Sequence, residues 1–239
     1  MTTSRGRVPM PDVWRAWGRF VRRPVLPGQR EPFGWQSIKD VVWLLSLDIA
    51  FALPLAGILT VLAEGQGIKT PEFAMLMERG VVFTLLIGAL VVPIFEEVVA
   101  RGWIDGRRRH LALAGVVMAA LASTIALHVA GLGLGATVVL LLGWIGIAIA
   151  VGIRSANDVP AWFTRAFPWL FYASAILFGL AHLSNYDMEE PLILLPFVIP
   201  QFVGALIFGF ARVRYGMWAN IALHSTSNAL FLSLALSGI

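Results

Sequence analysis

The sequence contains no cysteine. Disulfides, thiolate nucleophiles and Cys-ligated zinc or iron–sulfur centres are therefore excluded, and redox chemistry says nothing about the compartment. Charge is scarce too: 13% of the 239 residues are Asp, Glu, Lys or Arg, about half the share of a water-soluble domain. No H-E-x-x-H or G-x-S-x-G motif occurs, so the common zinc-protease and serine-hydrolase signatures are missing. Residues 1–39 also lack the apolar core of a secretory signal, and no cleavable targeting segment is expected there.

What the chain has instead is apolar length. Hydrophobic residues make up 58% of it and the mean hydropathy is +0.79, in long runs broken by short polar clusters. That pattern predicts an all-α, polytopic membrane helix bundle rather than a soluble core. About seven spans are expected: Val41 to Ala63, Val81 to Trp103, two within Leu111 to Ile153 as a hairpin turning at Gly131, Gly133 and Gly135, Pro168 to Leu183, Pro191 to Ala211, and Met217 to Leu236. The domains are thus a basic segment at 1–39 and a transmembrane domain at 40–239 carrying the hairpin at about 111–153.

The net charge of +4 comes largely from arginine, and eight of the eighteen basic residues lie in the first 39 positions. Nucleic acid is the wrong partner for such a chain; membrane lipid is the right one. Basic flanks mark the cytoplasmic side of a membrane and attract anionic lipid. With the N-terminus inside, Arg107 to Arg109, Arg154, Arg165, Arg212 and Arg214 fall inside, and Asp187, Glu189 and Glu190 fall outside. Near the start, Trp14, Trp17, Phe20 and Val21 recur at helical spacing among arginines. This gives either a short helix lying on the membrane surface or a disordered basic tail. Trp162, Phe163, Phe167 and Trp169 read as an interfacial aromatic belt.

Few ionisable groups remain at membrane depth: Asp48, Glu96, Glu97, Arg101, His128, His182 and His224. Buried acids in a bilayer cost at least ~2.5 kcal/mol each on insertion scales, so they need partners. Glu97 and Arg101 are four residues apart and share a helix face. Glu96 is rotated about 100° from that face and is left free of Arg101. His224 and Asn228 are likewise four apart, as are Phe178 and His182, with Gly179 and Ala181 thinning that helix for close packing. Asp48 has no matched partner, and a helix-packing role is expected for it.

A carboxylate in a low-dielectric site can take a proton from water with a histidine holding that water. A second histidine and a carboxamide can donate to the oxyanion formed when water attacks a carbonyl. Water-mediated amide hydrolysis is the coherent reaction.

The motifs Glu96-Glu97-x-x-x-Arg101, Phe178-x-x-x-His182 and His224-x-x-x-Asn228, in that order, resemble those of the CAAX prenyl protease and bacteriocin-processing (CPBP) family of intramembrane endopeptidases, which includes the type II CAAX prenyl endopeptidase. Gly204, Gly209, Arg212, Arg214 and Gly216 are similar to the helix and turn before the family's last motif, and the similarity covers about 80–103 and 168–230. The resemblance implies that Glu96 and His182 activate water, that His224 and Asn228 form the oxyanion site, and that Glu97 and Arg101 brace the cavity. It implies a membrane-associated peptide or protein substrate, prenylated or bacteriocin-like, and residence in a cell membrane, here assigned to the cytoplasmic membrane of a prokaryote.

The 86-residue interval from Glu96 to His182 is long, with the hairpin filling the excess; His128, 32 residues after Glu96, competes for the second motif but has Thr124 rather than an aromatic four positions before it. Rise per residue places His182 near the outer end of its span and Glu96 near the inner end of another, level only if helices tilt or the first turns of the fifth span lie outside the hydrocarbon. Finally, no cofactor is required, yet Glu96, His182 and His224 could instead bind zinc, and a non-enzymatic scaffold, immunity factor or proton-coupled transporter could use the same acids.

Overall fold

The computed structural model describes residues 11–68, 71–187 and 192–237, and every element among them is helical. The helices are α1 (Asp12–Arg22), α2 (Trp35–Gln66), α3 (Pro71–Glu78), α4 (Val81–Leu86), a π-helical stretch (Ile87–Val91), α5 (Val92–Arg101), α6 (Arg108–Val129), α7 (Leu134–Arg154), α8 (Ala161–Ala181), two 3-10 turns (His182–Asn185 and Leu195–Val198), α9 (Ile199–Arg214) and α10 (Met217–Leu236). Glu189, Glu190, the helix-opening Pro191 and the first ten residues of the basic segment lie outside the described residues.

Six helical segments among the described residues are long and apolar enough to cross a membrane, which makes this a multi-pass integral membrane protein. The expectation was seven. The difference is α10, which is 20 residues long but carries Asn220, His224, Ser225, Thr226, Ser227 and Asn228. Those polar residues lower its hydropathy, and four of them, Asn220, His224, Ser227 and Asn228, find partners within the bundle. The sequence-based loop from Glu64 to Arg79 also contains a helix, α3.

The bundle is organised around α9, in which every residue from Gly204 to Val213 is buried. Helices α8, α2 and α10 all pack against it. Small residues permit the close crossings. A Cβ at Gly209 would sit 2.8 Å from Phe171, one at Gly204 3.4 Å from an Asp48 carboxylate oxygen, and one at Gly179 3.3 Å from the Phe202 Cβ. The hairpin of α6 and α7 forms as expected, but both helices face outward along almost their whole length.

Of the two sequence alternatives for the basic segment, the structure has the helix, α1. Its apolar stripe packs on protein: Val13 is buried, Phe20 packs edge-on to Phe171, and the Trp14 indole donates to the Trp43 carbonyl. The aromatic belt needs a correction. Trp162 and Trp169 are exposed, but Phe163 and Phe167 are fully buried in the core beneath α5.

That burial sets the height of α8. The helix begins at Ala161, seven residues before the expected Pro168. Phe163 seats against Gly106, in the turn beyond the end of α5, where φ is +72° and a Cβ would lie 2.3 Å from the ring. The Ser174 hydroxyl then donates to the Ala100 carbonyl at 3.0 Å. Helix α8 therefore starts below α5, and its far end comes level with Glu96.

The same inner end is held by charge. Arg212 caps α5, Nε donating to the Arg101 carbonyl and Nη2 to that of Gly102 at 3.1 and 3.0 Å, carbonyls at the helix end that have no intrahelical donor. Asp105 lies 3.4 Å from Arg212, 2.8 Å from His110 Nδ1, and also pairs with Arg30. Burial opposes its ionisation, but the His110 hydrogen bond and the Arg212 charge outweigh burial and hold its carboxyl down at about 2.

Candidate active site

The two glutamates occupy different environments because successive helical residues point about 100° apart. Glu97 is fully buried and saturated. One carboxylate oxygen accepts from Arg101 and, at 2.8 Å, from His224 Nδ1; the other accepts from the Asn220 amide. Arg101 is equally buried, its guanidinium lying 4.3 Å from the Phe178 ring centroid. Glu96 is 28% exposed, with its oxygens 3.5 Å from His224 Nε2 and 3.9 Å from His182 Nε2. Both separations exceed a direct hydrogen bond and suit an oxygen lodged against all three groups.

The histidine protons can be assigned from what faces Nδ1. In His182, Nδ1 lies 2.8 Å from the Phe178 carbonyl, an acceptor only, so Nδ1 carries the proton. In His224, Nδ1 faces the Glu97 carboxylate and carries the proton for the same reason. When neutral, both rings thus turn a bare Nε2 toward Glu96. Phe208 stacks on His224 at 4.9 Å, and Phe178 contacts both histidines, which fixes the ring planes.

Asn228 has a partner within the bundle. Its amide donates to the Gly88 carbonyl at 3.0 Å. The cause is local. In the π-helical stretch Val92 N–H reaches back five residues to the Ile87 carbonyl, so the next donor in register, for Gly88, would be residue 93. That residue is proline, which has no N–H. Asn228 supplies the missing hydrogen bond and keeps one amide hydrogen for other use.

Sequence spacing missed Asn220, Phe208 and the pairing of Asp48. Asn220 carried a signal, standing four residues before His224 on the same face of α10. Asp48, expected without a partner, is buried and accepts from the Ser227 hydroxyl at 2.6 Å. His128 is exposed at the end of α6, and the imidazoles facing Glu96 are those of His182 and His224. Among the described residues no group of three or more His, Asp and Glu side chains has the geometry to hold a metal ion.

The family model described as type II CAAX prenyl endopeptidase Rce1-like matches residues 78–230, a stretch containing every residue of the site from Gly88 to Asn228. No curated protein and no solved structure matches the chain.

Proposed function

The chain belongs to the Rce1-like family of type II CAAX prenyl endopeptidases, and from that premise, which makes it a membrane protease, we propose that it cleaves a peptide bond of a membrane-associated substrate with water activated by Glu96. The observation that carries this is the convergence of three helices' worth of side chains: Glu96 from α5, His182 from the end of α8 and His224 from α10, with both Nε2 atoms directed at one carboxylate.

The cluster offers acceptors and no donor while the histidines are neutral, which is the environment that a water molecule satisfies. Glu96 takes one water proton and a histidine Nε2 accepts the other as the oxygen adds to the scissile carbonyl carbon. The protonated Glu96 then gives its proton to the departing amide nitrogen as the C–N bond breaks, and the imidazolium gives its own to the freed amine, restoring the Glu96 carboxylate and the neutral histidine and leaving a carboxylate and an ammonium as products. Negative charge on the carbonyl oxygen is met by the second amide hydrogen of Asn228, and by His224 once it has taken up a proton. Glu97 and Arg101 do not exchange protons here; they form the buried base on which His224 stands.

Prenylated C-terminal peptides are the first substrates to try, with bacteriocin-like precursors and other membrane peptides beside them. Purified protein in liposomes is incubated with each, and released fragments are identified by mass spectrometry. Wild-type protein cleaves at least one and Glu96→Gln cleaves none while remaining folded; cleavage by Glu96→Gln, or none by wild type across the panel, overturns the proposal. Activity that persists in a zinc chelator separates this reaction from the zinc-dependent alternative.

A further inference from the structure

Asn220 belongs to none of the three motifs, yet it is fully buried at the centre of the site. Its amide donates to the Glu97 oxygen that the other two partners leave free. The opposite oxygen accepts from Arg101 and from His224 Nδ1. A carboxylate is symmetric about its C–C axis and Arg101 has a planar fork of donors, so an Arg101–Glu97 pair alone would settle with both oxygens on the guanidinium. That geometry would turn the carboxylate toward the guanidinium and draw the oxygen that now lies 2.8 Å from His224 Nδ1 away from it. Asn220 prevents it by holding the far oxygen one helical turn from His224, which keeps the near oxygen opposite Nδ1.

We propose that Asn220 is a positioning residue: by fixing Glu97 it fixes the proton of His224 on Nδ1, and so keeps the bare Nε2 of that ring facing Glu96. His182 has no such dependence, because its Nδ1 proton is held by a backbone carbonyl on α8. The two histidines therefore answer differently to a change at Asn220. The tautomer claim stands on the hydrogen-bond geometry, and only its kinetic consequence rests on the proteolytic reading.

The test is the imidazole nitrogen resonances of the full chain, labelled with 15N-histidine and reconstituted in lipid nanodiscs. The chain has four histidines, so signals are assigned by replacing His110 and His128 with Gln. In wild type, His182 and His224 should each show a protonated Nδ1 and a bare Nε2. In Asn220→Leu, which keeps volume and deletes the donor, the His182 pattern should persist while His224 moves to Nε2–H or to a mixture. His182 is thus the internal control for folding. Should Asn220→Leu fail to fold, Asn220→Ser, smaller and still a donor, gives the second measurement: its hydroxyl is too short to reach Glu97, so a His224 shift with His182 unchanged is again expected. A His224 pattern identical to wild type in either folded variant overturns the proposal, as does a wild-type His224 protonated on Nε2. With a cleaved substrate in hand, Asn220→Leu should lower kcat by about 10²-fold, the usual size of an acid–base contribution, with KM unchanged. If the tautomer shifts and wild type cleaves nothing, the proteolytic reading fails and the positioning role stands.

Discussion

The two adjacent glutamates give a paired perturbation in which a single amide replacement should have opposite consequences. Glu97 is 0% exposed and receives Arg101, His224 and Asn220. Glu97→Gln turns the acceptor of three donors into an amide with one acceptor oxygen, and leaves Arg101, itself 1% exposed, a charge without a counter-ion. Breaking a buried pair from one side costs about 3–5 kcal/mol. For a chain of this size each kcal/mol shifts Tm by about 2–4 °C, so the loss should be about 6–20 °C. Glu96 is 28% exposed and its nearest charged partners stand at 3.5 and 3.9 Å. Glu96→Gln is isosteric there and should stay within about 0.5 kcal/mol, or about 2 °C. The assay is thermal unfolding in one detergent followed by tryptophan fluorescence, nine tryptophans being present, with substrate cleavage measured on the same preparations. Glu96→Gln should be stable and inactive. A Glu97→Gln protein as stable as wild type, or a Glu96→Gln protein that unfolds 10 °C early or more by this estimate, would refute the division of roles.

Pro93 and Asn228 should be energetically coupled. Asn228→Ala orphans the Gly88 carbonyl and should cost about 1–3 kcal/mol, but markedly less in a Pro93→Ala background, where residue 93 regains an N–H; a double-mutant cycle of unfolding free energies measures the difference, and strict additivity would contradict the account. Asp105 sets an acid limit. Its folded carboxyl is lowered from 3.8 to about 2, so the stabilisation it brings is complete above 3.8 and lost as pH falls through about 2; Tm measured from pH 5 to pH 2 should drop by an amount equivalent to about 2 kcal/mol that Asp105→Asn does not show. Gly106 and Gly131 have nearly equal φ, +72° and +71°, but a Cβ at Gly106 meets Phe163 at 2.3 Å and one at Gly131 meets nothing within 4 Å. Gly131→Ala should therefore cost only the left-handed strain of about 1–2 kcal/mol, and Gly106→Ala clearly more by the same unfolding assay.

How much of this was legible depended on polarity. The charge clusters at Arg107 to Arg109, Arg154 and Arg212 to Arg214 bounded the helices to within a few residues, and the 100° step between Glu96 and Glu97 separated their environments. Apolar residues were far less informative. Phe163 and Phe167 look like Trp162 and Trp169 in sequence, yet the first pair is fully buried and the second is exposed. In a soluble protein the hydrophobic pattern separates inside from outside; in a bilayer both sides of a helix are apolar, and the pattern no longer does so. The start of α8 was misplaced for that reason, and the height of His182 with it.

Polar atoms escape this ambiguity, since lipid can satisfy none of them. Each one at depth implies a partner, and the partner can be sought by register. Asn220 stood one turn from His224, and Ser227 one turn from His224 in the other direction; both bind buried acids, Glu97 and Asp48. Pro93 carried a signal that the motif spacing passed over, because a proline inside a span leaves a carbonyl without its donor. That carbonyl proves to belong to Gly88, through the five-residue register of the π-helical stretch, and its donor to be Asn228. The residue proposed for the oxyanion is thus also the one that supplies the missing donor in the glutamate helix, so on the proposed mechanism one side chain serves both the π-helical stretch before Glu96 and the carbonyl oxygen. A substitution of Asn228 consequently removes a hydrogen-bond donor and loosens the base at once, and its effect on rate should exceed what a single lost oxyanion contact, about 10²- to 10³-fold, would give.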